Sequence, residues 1–427
     1  MRHNLGITFC LALTVLWSLS GIVSAQEDEI SIGNTFGLGA RAMGMGGAFL
    51  GVADDFSALY WNPAGLAQIR KFELYGGLSH LQGDMETQFT GERPTEADES
   101  KTRPNSIGLV YPLYATKGGV ALGLGYNRLQ NFDTGIAISG IDPSRGTLFS
   151  GLDVDELNVT SGGIGLWSFG VGVFISENIL LGGSFDFWHG TSLNELDVTA
   201  TDVNRIDPEV ASFSFHDVID REYTGVSGRL GLLARAGEYV TIGLVAQLPI
   251  DLEVDEAWLQ ETEVSFDDGE TEVDAESGSI LFDIERPFEF GGGVAVTLLE
   301  KQLTLAGDFQ FTDWTQTEYS RPPTEDISPS NFDRFYDSTL QIRLGAEYRF
   351  REIDTTVRVG YFRDPIPFQG KEIENDRDFL TVGAGKVFDD VLKLDVAYMR
   401  GSWERMNAGL TEKQTENRVL VSAAYRY

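Results

Sequence analysis

Residues that could do acid–base or nucleophilic chemistry are few and scattered in this sequence. Its 427 residues include four histidines and one cysteine. His80, His189 and His216 have no nucleophile or acid at a recognisable catalytic spacing, and no Gly-x-Ser-x-Gly elbow occurs. A single cysteine excludes a disulfide framework and a cysteine-rich metal site. We therefore predict no catalytic residue, no cofactor and no enzymatic activity.

Carboxylates are the one chemical group that the sequence concentrates. The 65 acidic and 32 basic residues give a formal net charge of −33, which excludes a nucleic-acid partner because polyphosphate binding needs clustered Lys and Arg. Residues 251–276 hold twelve Asp or Glu and no Lys or Arg. Calcium is bound by several carboxylates, but the spacing here does not match an EF-hand loop. A solvated acidic loop is the simpler interpretation, and no metal site is predicted.

A glycine-rich segment near the start resembles a nucleotide-binding fingerprint. Gly37-x-Gly39-x-x-Ala42 matches the pattern, but no strand precedes it and no crossover unit follows. The segment also follows residues 1–25, which have the pattern of an export signal, and an exported chain has no cytosolic cofactor supply. We therefore reject dinucleotide binding.

Residues 1–25 have the pattern of a signal peptide. Arg2 gives the positive start, an apolar stretch runs from Leu5 to Leu19, and Val23-Ser24-Ala25 offers small residues before a cleavage point. No later segment has 18 consecutive apolar residues, so no membrane-spanning helix is predicted. An exported chain of this kind is either soluble or a closed barrel.

From Phe72 onward, apolar and polar residues alternate, as in β-strands with two different faces. Leu340 and Ile342, for example, alternate with Gln341 and Arg343. The runs are long enough to cross a bilayer at a tilt. Fourteen such runs lie near 71–83, 103–113, 118–131, 159–175, 178–190, 221–236, 238–254, 280–299, 302–316, 337–350, 353–363, 377–388, 391–402 and 414–427.

The connections between these runs alternate between short and long. The long links lie at 84–102, 132–158, 191–220, 255–279, 317–336, 364–376 and 403–413. This alternation is typical of a bacterial outer-membrane barrel with tight periplasmic turns and long external loops. The sequence predicts an all-β fold, a 14-stranded antiparallel transmembrane β-barrel over 71–427. Its aromatic ending, Tyr425 and Tyr427, resembles the recognition tail of outer-membrane proteins, so the barrel-assembly machinery and outer-membrane lipids are expected partners.

Residues 26–70 do not fit the strand pattern and are predicted to form a plug of short helices and turns. A barrel of fourteen strands is wider than side chains alone can fill, so something must occupy its lumen. Asp54 and Asp55 could cap a helical turn that begins near Phe56, and Asn62-Pro63 marks a position where a helix must stop. The alternative is a separate periplasmic docking segment.

The same segment resembles the hatch of the FadL family, which are outer-membrane transporters for long-chain fatty acids and related hydrophobic compounds. The resemblance lies in residues 37–69, above all in the motif Asn62-Pro63-Ala64-Gly65. It implies that this chain transports hydrophobic small molecules passively. The glycine-rich opening followed by Asn-Pro-Ala-Gly is also similar to PorV-type barrels, which serve protein secretion at the cell surface. Binding or shuttling of secreted proteins therefore stays open as the alternative function.

For a transporter of fatty acids or aromatics, the expected mechanism is capture by apolar residues of external loops, passage into a greasy pocket above the plug, and release when the plug or a wall strand shifts. Each methylene group prefers an apolar site by about 0.8 kcal/mol. The candidate capture residues are the loop aromatics Phe132, Phe149, Phe213, Phe215, Phe332, Phe335 and Tyr336. A ligand carboxylate could meet inward-facing arginines, with Arg229, Arg343 and Arg358 as candidates. Alternatively, these arginines pair with Glu347, Asp308 and Asp395 and hold the wall and plug together.

Overall fold

Fourteen antiparallel strands form the wall of the molecule. The structure is a computed structural model that describes residues 37–113, 119–143, 150–207, 209–323, 332, 336–367, 376–407 and 410–427; the predicted signal peptide therefore lies outside the described residues. The strands are β1 (Glu73–Phe89), β2 (Thr95–Leu113), β3 (Val120–Arg128 and Thr134–Ile141), β4 (Asp153–Ser176), β5 (Ile179–Thr201), β6 (Val210–Ala236), β7 (Val240–Gln247 and Ile250–Phe266), β8 (Thr271–Arg286 and Glu289–Leu298), β9 (Leu303–Asp313 and Glu318–Arg321), β10 (Ser338–Phe350), β11 (Thr355–Asp364), β12 (Arg377–Phe388), β13 (Leu392–Asn407) and β14 (Leu410–Arg426).

The sheet closes on itself. Each strand pairs with the next along the chain, and β14 returns to pair with β1 from Arg426 opposite Glu73 to Leu410 opposite Phe89. Closure satisfies the backbone hydrogen bonds of the wall within the sheet, as a lipid environment requires. The prediction of a fourteen-stranded barrel is confirmed.

The two faces of the wall differ as the alternation predicts. On β10, Leu340 and Leu344 are 50% and 52% exposed, whereas Gln341 and Arg343 between them are 4% and 2% exposed. The outer face thus carries an apolar band, with Trp167, Phe169, Phe185, Phe187, Leu230, Phe290, Phe309 and Leu380 among its exposed side chains. Such a band matches the lipid of an outer membrane. Among the described helices, none is long and apolar enough to span a membrane.

Several of the predicted long loops are instead paired strands. β6 has 27 residues and, together with β5, includes most of the predicted loop 191–220. Most of the predicted acidic loop 255–279 belongs to the β7–β8 hairpin, which has its turn at 267–270. About ten residues suffice to cross a bilayer, so these strands continue beyond it. In the outer part of β7, residues 255–263 carry polar side chains on both faces, and the two-residue period that marks a strand in the sequence is lost there.

The wall is interrupted between β2 and β3. The inner part of β3 pairs with Ser106–Leu113 of β2, but in the described residues the outer part, 134–141, pairs only with β4. The carbonyl of Ala137 accepts a hydrogen bond from Thr87 Oγ1, a buried side chain on the inner face of β1. The outer half of β3 therefore lies inside the β1–β2 hairpin. We call the unpaired boundary between 95–105 and 129–141 the seam.

Residues 37–70 fill the lumen and are called the plug. They contain helix α1 (Ala40–Gly44), helix α2 (Ala58–Trp61) and a 3-10 helix over Pro63–Gln68. α2 ends at Trp61, where Asn62-Pro63 predicts a stop, but the chain continues at once as the 3-10 helix because proline is compatible with its first turn. The interior position of the plug is confirmed over this range; residues 26–36 lie outside the described part of the chain.

Candidate functional site

The plug rests on a belt of glycines in the wall. A Cβ atom on Gly360 of β11 would lie 2.1 Å from the Gly46 nitrogen of the plug, and one on Gly243 of β7 would lie 2.0 Å from the Leu50 carbonyl oxygen. No real Cβ approaches that closely, so only glycine lets the plug backbone reach the wall. The belt continues around the barrel, and its members include Gly108, Gly125, Gly170, Gly172, Gly182, Gly231, Gly345 and Gly383.

Asn62 joins the plug to itself and to the wall. Its side chain is fully buried, and its Nδ2 donates to the Leu50 carbonyl at 3.0 Å and to the Leu232 carbonyl of β6 at 3.1 Å. Its Oδ1 accepts from the Ala64 amide at 3.2 Å. An amide supplies both donors and acceptor on one side chain, which explains asparagine here.

Replacing Asn62 by alanine should destabilise the barrel by about 3 kcal/mol, because two buried carbonyls and one buried amide lose their partner. Urea unfolding of the refolded protein in lipid vesicles measures the change. The matched control is Asn204→Ala, since Asn204 lies in an exposed external turn and should change the unfolding free energy by less than ~0.5 kcal/mol. Equal effects of the two variants would contradict this role of Asn62.

Asp55 and Asp54, the predicted capping residues, both have partners in the plug. Asp55 Oδ1 accepts from the Ser57 amide at 3.0 Å and from Ser57 Oγ at 2.6 Å, just before α2. Asp54 pairs with Arg41 of α1. Burial raises the pKa of Asp55, but Lys393 and Arg41 lower that pKa more, so the carboxyl group has a pKa below its usual value and is ionised.

Buried ion pairs attach this part of the plug to β10, β11 and β13. Glu347 accepts from Arg41 at 2.9 Å and from Arg358 at 2.6 Å. Arg358 also pairs with Asp395 at 2.7 Å, and Lys393 lies 3.3 Å from the same carboxylate. Charges removed from water need such mutual compensation. Arg358 therefore pairs with Glu347 and Asp395, as in the alternative interpretation in which the arginines hold the wall and plug together.

Glu73 of β1 connects the plug to the last strand, at the point where the barrel closes. Its Oε1 accepts from the Phe56 amide of the plug at 2.8 Å, and its Oε2 accepts from Arg426 of β14 at 2.6 Å. Residues of the first strand, the last strand and the plug thus share one carboxylate.

A neighbouring part of the wall holds the plug through Asp308 and Arg343. Asp308 Oδ2 accepts from the amides of Phe49 and Leu50 at 2.5 and 2.7 Å. The Arg343 guanidinium lies 5.3 Å from the centre of the Trp61 ring, a cation–π geometry. Both contacts hold plug residues against β9 and β10.

Directly above the plug, polar side chains form a girdle on the inner wall from β6 to β10. Its hydrogen bonds include Arg229 to Gln247 at 2.8 Å, Gln310 to Glu289 at 2.7 Å and Arg343 to Gln310 at 3.0 Å. Arg229 also donates to the Tyr60 carbonyl. We define the polar girdle as Arg229, Gln247, Glu289, Gln310, Gln341 and Arg343. It presents an unfavourable surface to an oily molecule.

A small cavity lies between the plug and this girdle. Its volume is about 20 Å³, and it is lined by Leu50, Tyr60, Trp61, Arg229, Val245, Gln247, Glu289, Gly291 and Gln310. That volume admits about one water molecule. The expected greasy pocket above the plug stays a prediction, since this cavity is lined by both apolar and polar residues.

Apolar side chains lie farther out in the lumen. Phe332 is buried, with its ring 4.7 Å from that of Tyr319 and 5.5 Å from that of Tyr336. Phe132, in the break of β3, packs edge-to-face on Tyr223 at 6.0 Å. Phe332 and Tyr336 thus lie in the connection between β9 and β10, and Phe132 lies in the break of β3, each buried against other aromatic rings.

The remaining predicted capture residues divide into two groups. Phe213 and Phe215 lie on β6, not in a loop, because β5 and β6 stay paired through this region. Phe213 is buried, and Phe215 packs against the apolar cluster of Val154, Val198 and Ala200 on the inner face beyond the membrane. Phe149 and Phe335 lie outside the described residues.

Groups that could support other chemistry are dispersed. His80 contacts Thr102 Oγ1 at 2.8 Å, and His216 pairs with Asp197 at 2.7 Å on an exposed surface. Within the described ranges, no group of three or more His, Cys, Asp or Glu is arranged to hold a metal ion. The acidic hairpin of β7 and β8 therefore offers no assembled metal site in its described residues.

The closed wall, the apolar outer band and the buried plug define the class of protein: a plugged fourteen-stranded β-barrel of the bacterial outer membrane. Among solved structures, the chain is similar to a FadL homologue from Pseudomonas aeruginosa, with 16% identity, a TM-score of 0.62, and coverage of 92% of this chain and 98% of that one. It is also similar to the toluene transporter TodX from Pseudomonas putida, with 14% identity, a TM-score of 0.59 and coverage of 92% and 99%.

A third similar structure is the toluene transporter TbuX from Ralstonia pickettii, with 16% identity, a TM-score of 0.58 and coverage of 92% and 99%. No protein-family model and no curated protein matches the sequence. At these identities the comparisons establish the fold, and the resemblance to FadL that the plug motif indicates is confirmed at that level.

Proposed function

We propose that this barrel carries hydrophobic small molecules passively across the outer membrane, with long-chain fatty acids and small aromatic compounds as the candidate substrates. The observation that supports this proposal most is the position of the seam. It interrupts the wall just above the plug, where Ser106 and Asn127 form the last backbone pair between β2 and β3. Opening of the seam would give an oily molecule in the lumen a lateral route into the lipid that avoids the polar girdle.

Capture begins on the part of the barrel that extends beyond the membrane. The inner face there carries Phe213, Phe215, Ile219 and Val264, which can receive an apolar molecule from the outside. Burial of apolar area at about 25 cal/mol per Å² drives this step. The aromatic interior around Phe332 and Tyr336 follows farther in, past the inward-facing Asp217 and the ion pair of Arg221 with Glu256.

Release of the ligand into the lipid requires the seam to open, and, among the described residues, only a few contacts hold the seam closed. The side chain of Arg103 on β2 donates to Asp133 in the β3 break at 2.8 and 2.5 Å. Leu129 and Gln130 bond through their amides to the Ile164 carbonyl of β4, at 2.9 and 3.0 Å. Side chains and a few bonds to β4, not a continuous β-ladder with β2, therefore fix this segment, and a small outward shift of it opens the wall while the plug stays in place.

Uptake by whole cells tests the proposal. Cells that express the protein should accumulate labelled oleate or labelled toluene several-fold faster than cells with an empty vector. If neither compound enters faster, the transport function is wrong. Binding of an exported protein to the external hairpins, measured by cross-linking on intact cells, would then support the PorV-like alternative.

A further inference from the structure

Arg286 forms a layer in the lumen with two tryptophans. The residue is 2% exposed, and its guanidinium carbon lies 5.7 Å from the ring centre of Trp188 and 5.0 Å from that of Trp314. Its Nη2 lies 3.2 Å from Oε1 of Glu289. Stacking of this kind is a strong cation–π arrangement when the groups are desolvated. We call Trp188, Arg286 and Trp314 the Arg286 stack.

The Arg286 stack connects strands that are not neighbours in the wall. Arg286 ends the outer segment of β8 and Trp314 lies between the two segments of β9, whereas Trp188 belongs to β5. β6 and β7 lie between β5 and β8, a separation of about 14 Å along the wall at the usual strand spacing. The arginine side chain therefore crosses the inner faces of two strands to reach the Trp188 ring.

Both tryptophan rings are fixed by hydrogen bonds from their indole nitrogens. Trp188 Nε1 donates to Ser227 Oγ at 2.8 Å, and Trp314 Nε1 donates to Thr339 Oγ1 at 2.9 Å. Ser227 in turn accepts from Gln247 of the polar girdle at 2.9 Å. The rings thus present fixed faces, which is a requirement for selective recognition.

The Arg286 stack separates two environments. On its inner side, Glu289 and Gln247 belong to the polar girdle above the plug. On its outer side, the preceding inward residues of β8 are Ile284 and Phe282, and Phe282 packs against Tyr319 at 6.0 Å. A molecule that moves inward through the apolar part of the lumen therefore meets the Arg286 stack first.

We propose that the Arg286 stack determines substrate specificity and favours flat aromatic compounds over aliphatic chains. This inference rests on the proposed transport function. An aromatic ring can stack on the guanidinium or take its place between the indoles, and so replaces the cation–π contacts that it disrupts. An alkyl chain has no π face, so its entry leaves those contacts uncompensated.

The test compares two hydrocarbons of seven carbons, labelled toluene and labelled n-heptane, in cells that express the wild type, Arg286→Met or Arg286→Lys. The methionine variant removes the cation, and the lysine variant keeps the charge but loses the planar stacking face. The ratio of toluene to heptane uptake should fall by about tenfold in Arg286→Met and by a smaller factor in Arg286→Lys. Arg321→Met is the matched control, because Arg321 lies outside the lumen and pairs with Glu253 and Asp283.

A purely structural role of Arg286 would change the uptake of both hydrocarbons by the same factor and leave their ratio unchanged. An unchanged ratio in both variants, with assembled barrels shown by heat-modifiable gel mobility, overturns the specificity proposal alone. A wild type that takes up neither hydrocarbon, nor oleate, faster than the vector overturns the transport function and this inference together.

Discussion

Replacing Gly360 by leucine is expected to dislodge the plug and leave an open channel. The first atom of any side chain at this position would lie 2.1 Å from the Gly46 nitrogen and 2.3 Å from the Met45 carbonyl carbon. Backbone on both sides of the contact cannot rotate away as a side chain can, so the plug must move. Single-channel conductance in planar bilayers should rise at least about tenfold over the wild type, since a fourteen-stranded barrel without its plug is wide enough for water.

The control for this experiment is Gly76→Leu on β1. A Cβ atom at Gly76 has no neighbour within 4 Å, and the substitution tests the general effect of leucine for glycine in a wall strand. Sensitivity of cells to large antibiotics that the intact outer membrane excludes gives a second measurement. Wild-type conductance and antibiotic resistance in Gly360→Leu would show that the plug does not depend on the glycine belt.

Replacing Glu347 by alanine should cost about 3 to 5 kcal/mol, the usual effect of removing one partner of a buried ion pair. Glu347 is the carboxylate that Arg41 of the plug and Arg358 of β11 share. Without it, Arg358 keeps Asp395 and Arg41 keeps its aspartates in the plug, but no ion pair then joins Arg41 to the wall of β10. The free energy of unfolding in urea, measured with the barrel in lipid vesicles, gives the change.

Arg349→Ala on the same strand is the matched control for Glu347→Ala. Arg349 pairs with Asp354 at 3.1 Å, but both side chains are about half exposed, and surface pairs of this kind contribute less than ~1 kcal/mol. If Glu347→Ala were no more destabilising than Arg349→Ala, the network would not anchor the plug.

The strands of the barrel could be predicted because lipid outside and a polar lumen inside impose opposite demands on alternate residues. Leu340 and Gln341 show this alternation in sequence and in burial. The pattern fails where that difference ends. Beyond the membrane, residues 255–263 have polar side chains on both faces, and their pairing with β6 and β8 has no period that a sequence could show.

Other features depend on contacts between distant parts of the chain. Arg41 and Glu347 are 306 positions apart, and no local pattern relates them. The glycine belt had a faint signal, since glycine recurs at inward positions such as Gly170 and Gly172, but glycine in a strand is usually a sign of weakness. The break in β3 and the Arg286 stack left no signal at all, because single residues such as Phe132 and Arg286 are compatible with an ordinary strand.

The carboxylate of Glu73 has a consequence for biogenesis. If a nascent barrel inserted without the plug, β14 would pair with β1 while Glu73 lacked its hydrogen bond from the Phe56 amide. If the plug entered first, Glu73 would lack Arg426. The first intermediate therefore lacks one hydrogen bond and the second lacks the compensating charge of Arg426, so each step raises the driving force for the other. Closure of the barrel and insertion of the plug thus become mutually dependent, which disfavours the release of an unplugged, leaky barrel into the membrane.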